Sequence, residues 1–171
     1  HMRLKAIALI FSALVALSLL ARLAAQALDP PLVQAADLSY VGAFRVPSGG
    51  DDQHTFNYGG TALAFDSRTG GLWLVGHAQQ QRAAEIAIPT PSASSSLADL
   101  PRATIVQDFR DLLAGQMGSI GSGEARVGGI LPWGDGLVVS AYLYYDGSGS
   151  QMKSHFSVSS SGQVTGPYRI G

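Results

Sequence analysis

The chain has 171 residues, no cysteine and nearly balanced charge, with 12 acidic against 11 basic residues. Without thiols it can form no disulfide and do no thiolate chemistry. All the acids but only eight of the basic residues lie beyond residue 27, so that part carries a net charge of −4 and lacks the clustered Lys and Arg that nucleic-acid phosphates require.

The first element in chain order is a leader. His1-Met2 reads as a cloning scar, with Met2 as the native start. Arg3 and Lys5 form a short positive region, and residues 6–20 are apolar except for Ser12 and Ser18. Ala25-Gln26-Ala27 fits the small-x-small pattern that signal peptidase accepts. A membrane anchor needs about 20 apolar residues, and this run is shorter and ends before Arg22. Residues 2–27 are therefore expected to be a secretory signal peptide. That places the remainder in the periplasm or outside the cell, with no membrane attachment after cleavage.

Residues 28–37, marked by Asp29-Pro30-Pro31, are expected to be a linker, and 38–171 a β domain. Alternating and β-branched runs predict strands at 38–46, 61–65, 72–76, 83–88, 104–109, 127–131, 137–145, 152–158 and 164–170. Turn residues separate them: Asp66-Ser67-Arg68-Thr69-Gly70-Gly71, Pro132-Trp133-Gly134-Asp135-Gly136 and Asp146-Gly147-Ser148-Gly149-Ser150. The polar stretch Gln79-Gln80-Gln81 precedes the strand at 83–88, and a Pro/Ser-rich loop at 89–96 follows it. A brief helical turn is expected at 111–116 and a flexible loop at 118–123.

The two halves, about 38–115 and 116–171, resemble each other. Gly59-Gly60-Thr61-Ala62-Leu63 recurs as Gly128-Gly129-Ile130-Leu131, and Gly71-Leu72-Trp73-Leu74-Val75 as Gly136-Leu137-Val138-Val139-Ser140. Two further strands follow in each half. Four antiparallel strands led by a glycine-rich inner strand is the pattern of a β-propeller blade, where glycine lets crowded backbones approach. The expectation is an all-β fold of about two propeller-type blades, with a β-sandwich or barrel as the alternative. Two blades cannot close a ring, since propellers use about four to eight. The chain is then either part of a larger protein or a homo-oligomer that covers its open blade edges.

The segments YVGAFRVP (40–47), YGGTALAF (58–65), LWLVGH (72–77), AEIAIP (84–89) and AYLYYDGSGSQ (141–151) resemble a group of exported, propeller-like bacterial proteins. The resemblance covers nearly all of the chain beyond the leader. It implies a propeller-type fold and, because the members are longer, truncation near Gly171. It implies no particular activity.

Several constellations could carry chemistry. Asp51, Asp52 and His54 share a Gly-rich loop with Asn57 nearby, and oxygen-rich loops suit calcium. The spacing is not that of an EF-hand loop. Asp146 to Ser150 also offers oxygens, though Asp-Gly is equally the chemistry of a turn. His77 closes one strand and His155 opens another, and either could act as ligand or base. No serine stands in a nucleophile-elbow pattern, and the loop at 118–123 lacks the ending of a phosphate loop. Glu124 and Arg126 precede the second glycine-led strand, a position that faces the channel entrance in a propeller, with Tyr58 in the corresponding place of the first half. Tyr142, Tyr144 and Tyr145, with Trp73 and Trp133, offer a sugar-stacking surface or ordinary cross-strand pairs.

Three functions follow as expectations. The first is a binding or scaffolding module without chemistry of its own. The second is a calcium-dependent hydrolase acting on a small lactone or ester. Propeller lactonases hold calcium in their central channel with Asp, Asn and Glu, and the metal polarises the carbonyl. Asp51, Asp52, Asn57 and Glu124 are the candidates here, with Arg126 and His77 as catalytic partners. Asn57 is the only asparagine, however, so the channel pattern is not met residue by residue. The third is a carbohydrate-binding module whose partner is a glycan.

Overall fold

A computed structural model describes residues 32–170. The expected signal peptide and residues 28–31 of the expected linker lie outside the described residues. The chain divides into two compact units, His1–Tyr40 and Val41–Gly171. In the described part of the first unit, Ala35–Asp37 form a single 3-10 turn. Among the described residues no helix is long and apolar enough to cross a membrane.

The second unit is all-β, with two four-stranded antiparallel sheets and no α-helix among the described residues. The first sheet is a meander of β1 (Leu63–Asp66), β2 (Gly71–Val75), β3 (Ala83–Ala87) and β4 (Thr104–Arg110). The second is a meander of β5 (Ala125–Trp133), β6 (Gly136–Leu143), β7 (His155–Val158) and β8 (Val164–Tyr168). Short turns join β1 to β2, β5 to β6 and β7 to β8, as antiparallel neighbours allow, whereas residues 88–103 connect β3 to β4 and residues 144–154 connect β6 to β7.

One core lies between the sheets. On β6, Leu137, Val139, Ala141 and Leu143 are buried while Val138, Ser140 and Tyr142 turn the other way. On β2, Gly71, Trp73 and Val75 are buried. These faces share a hydrophobic cluster with Val127, Phe156 and Val158. Trp73, Val139 and Phe156 are almost fully removed from water. A side chain of this size contributes about 1.5–3 kcal/mol on burial.

The connection between the sheets adds to the core. The Asp111 carboxylate accepts the backbone N–H of Leu113 (2.8 Å) and of Gly115 (2.7 Å), which turns the chain and drives Leu112 and Leu113 inward. The helical turn expected at 111–116 is thus a side-chain-capped turn, and regular structure begins only at the 3-10 helix Gln116–Ile120. That helix occupies part of the expected flexible loop, anchored by the buried Ile120.

The strand expected at 38–46 does not form. Ala43 pairs with Ser92 and Arg45 with Arg102 as isolated bridges only. Gly42 adopts φ +137° with its α-carbon against the Ser92 backbone, a conformation that interrupts a regular ladder. Gly59, before β1, makes a close backbone approach, where an added Cβ would lie 2.6 Å from the Gly76 carbonyl oxygen. Gly128 instead is the extra residue of a bulge in β5 between Val127 and Gly129, facing Tyr142, while Gly129 faces Ser140.

Candidate functional site

The polar residues gather in three places. The first is a cleft of about 240 Å³ between the sheets, at the end where β1 turns into β2 and β5 into β6. Asp66 closes β1 with its side chain almost fully buried. Arg68, two residues on, folds back across the turn and holds that carboxylate with Nε and Nη2. The pairing draws the Asp66 carboxyl down to about 2, chiefly through hydrogen bonds from Arg68, against the opposing effect of burial. The Trp73 indole N–H lies beside the same carboxylate and adds to the lowering, though it does not reach hydrogen-bond geometry.

Deeper in the same sheet, Glu85 on β3 is completely buried. Its two oxygens accept the Thr69 hydroxyl and the Gln107 amide. Buried carboxylates persist only when hydrogen-bonded in this way. On the neighbouring strand, the Arg110 guanidinium lies over the Trp73 ring, 5.3 Å from its centroid. Its Nε is buried and unbonded, and the group forms no hydrogen bond or ion pair among the described residues. On the opposite wall the Ser160 hydroxyl donates to the Asp135 carboxylate at 3.1 Å.

The second place is the free face of the second sheet. Arg126 is paired with the Glu124 carboxylate and lies 6.0 Å from the centroid of the Tyr144 ring. The Tyr144 N–H donates to the Glu124 carbonyl at 2.8 Å, which closes the cluster. The cross-strand register places Arg126 opposite Tyr142, and Ser140 opposite both Gly129 and His155. Gly129, Leu131, Val138, Ser140 and His155 line a shallow groove of about 180 Å³ on this face. The His155 ring is held by Ser154, with Nδ1 2.7 Å from the hydroxyl.

The third place is the loop 51–58. His54 Nδ1 and Asp51 Oδ1 are 2.8 Å apart, and Asp51 also accepts the Gln53 N–H. The hydrogen bond from His54 lowers the Asp51 carboxyl. Asp52 and Asn57 are exposed, and neither side chain joins the pair. Among the described residues no group of three or more His, Asp or Glu side chains converges in a metal-holding arrangement. His77 packs edge-on against Tyr58 and accepts the Gln79 N–H at its Nδ1.

The candidate residues therefore do not form one site. Glu124 and Arg126 are a unit, Asp51 and His54 are another, and His77 touches neither. Gln81, buried with φ +53°, ties the turn that carries His77 to β5. Its Oε1 accepts the Val127 N–H at 2.6 Å and its Nε2 donates to the Ala78 carbonyl at 2.6 Å. Sequence reasoning missed both Gln81 and the cleft. A run of three glutamines does not mark one of them, but Glu85 was detectable as a lone acid in an apolar strand.

Comparison with protein-family models, with curated proteins and with solved structures finds no match to this chain.

Proposed function

We propose that residues 41–170 form a binding or scaffolding module of β-propeller type, in which the two sheets act as adjacent blades and the free face of each receives a further sheet of the same kind. The observation that carries this reading is the chemistry of the two outer faces. Leu63 and Phe65 are 64% and 56% exposed on one, and Leu131 and Trp133 are 52% and 71% exposed on the other. An antiparallel sheet that faces water on one side alternates apolar-in and polar-out. Here both outer faces carry large apolar side chains at alternate positions, as a blade between two neighbours requires. In the isolated chain the occupant is a second copy, its first sheet seated on the second sheet of its neighbour.

Light scattering on the full chain in mild detergent tests this. The expected result is a discrete assembly of about two to four copies, the number that gives four to eight blades, dispersed equally by Phe65→Lys and by Leu131→Lys. A monomer, or an assembly that survives both substitutions, overturns the reading.

A second reading, carbohydrate binding, is favoured by Tyr142, Tyr144 and Trp133, which are exposed beside the groove at Ser140 and His155. Saturable binding of soluble oligosaccharides, lost on Tyr144→Ala, supports it. The two readings compete for one face, so glycan that dissociates the assembly favours the second.

A further inference from the structure

We propose that the cleft between the two sheets binds a small hydroxylated or amino-bearing monocarboxylate, with Arg110 as the carboxylate receptor and Asp135 as the acceptor for the far end of the ligand. The inference begins with the hydrogen bonds in the cleft. Arg68 is committed to Asp66 and to the Gly134 carbonyl. Glu85 is committed to Thr69 and Gln107. Arg110 alone among the charged lining residues has its whole guanidinium unused, and its Cζ lies 5.3 Å from the centroid of the Trp73 ring. A planar guanidinium held against an aromatic ring presents paired N–H donors at the spacing of two carboxylate oxygens. An arginine half-withdrawn from water without partners gains most from such an anion.

Charge decides the class of ligand. Arg68 and Arg110 face Asp66, Glu85 and Asp135, so the cleft and the acid behind it carry one net negative charge. A phosphate ester with two charges is disfavoured there more strongly than a monocarboxylate, whose single charge the unpaired Arg110 can match. Asp135 and the Ser159 and Ser160 hydroxyls stand on the opposite wall. The Asp135 carboxylate accepts hydrogen bonds from a hydroxyl or ammonium group and would repel a second carboxylate. The volume of about 240 Å³ suits a molecule the size of a uronic acid or an amino acid. Both sources share one chemistry, a carboxylate at one end and donors at the other. The cleft opens at the hairpin end, so neighbours on the outer faces leave it accessible.

The full chain carrying Trp133→Phe, in which Trp73 is the remaining indole, serves as a fluorescence reporter. It is titrated with glucuronate, serine, glucose and glucose 6-phosphate. The expected result is a saturable change with glucuronate or serine, with a dissociation constant on the order of 1 mM. Glucose, which lacks the carboxylate, and glucose 6-phosphate give none. Response to glucuronate alone assigns a sugar acid, and response to serine alone an amino acid. Arg110→Met abolishes the response, Arg110→Lys weakens it about tenfold by removing the fork, and Asp135→Asn weakens it without touching the core. Arg126→Met, on the other face, leaves it unchanged, which separates this site from the glycan reading. Circular dichroism verifies that each variant is folded. No saturation with either carboxylate, or binding retained in folded Arg110→Lys and Asp135→Asn at full strength, overturns the proposal.

Discussion

Arg68 grips the buried carboxylate of Asp66 with two hydrogen bonds, Nε to Oδ1 at 2.8 Å and Nη2 to Oδ2 at 2.6 Å. Its remaining arm, Nη1, donates to the Gly134 carbonyl at 2.8 Å, in the turn between β5 and β6. A single side chain thus satisfies a buried charge in one sheet and ties that sheet to the other.

Replacing Arg68 by Leu leaves the Asp66 carboxylate buried and unpaired. Loss of one partner from a fully buried pair costs about 3–5 kcal/mol, and Arg68 is about a third exposed, so a loss of about 2–3 kcal/mol is expected. Denaturant titration of the variant measures it. The double variant with Asp66→Asn should recover part of the loss, because the uncompensated charge is then gone.

The same pair sets an acid limit on stability. Asp66 titrates at about 2 in the folded chain against 3.8 in the absence of its partners. Its folded value is depressed, so its contribution is complete above a pH of about 4 and is lost as pH falls from about 4 to about 2. Asp51 and Asp146 are lowered in the same direction in exposed loops and add to the descent. Melting temperature followed from pH 5 to pH 2 should fall, and Asp66→Asn should flatten that fall. An unchanged slope would refute the assignment to Asp66.

The core prediction rests on Phe156, which is fully buried on β7 between Leu137, Val139 and their neighbours. Phe156→Ala should cost about 3–5 kcal/mol by equilibrium unfolding. Leu97→Ala, in an exposed 3-10 turn, should change stability by no more than about 0.5 kcal/mol.

Two glycines of one turn should respond differently to alanine. At Gly136 a Cβ would stand 2.2 Å from the Val158 carbonyl oxygen, backbone that belongs to the adjacent strand. At Gly134 nothing lies within 4 Å, but φ is +58°. Gly136→Ala should therefore cost about 2–3 kcal/mol through overpacking, and Gly134→Ala about 1–2 kcal/mol through the left-handed backbone alone. Thermal melts of the two variants give the order, and the reverse order would overturn this account of the turn.

Much of the β architecture was legible in the residue pattern. The runs at 72–76, 83–88, 104–109 and 137–145 became β2, β3, β4 and β6 within a residue or two at most ends, because alternation and turn residues act locally. The run at 38–46 has the same composition, yet it pairs only through isolated bridges, since a strand also needs a free sheet edge in register. The candidate residues fared differently. Asp51 and His54 meet because they stand three positions apart in one turn, and Glu124 meets Arg126, two positions on, for the same local reason. His77 joins neither, because its partners are set by how the β2–β3 turn folds.

By itself the sequence determined the class of the fold, short strands joined in part by tight turns, as consequences of period-two patterning and turn chemistry; β3, buried on both faces from Ala83 to Ile86, departs from that pattern. Tertiary structure alone decided which polar groups converge. Arg68 and Gly134 are 66 positions apart, and Gln81 and Val127 are 46 apart. Periodicity assigns a side chain to a face but not to the surface that face will meet. The inter-sheet cleft exists only because burying Trp73, Val139 and Phe156 in one core brings two separate hairpins side by side.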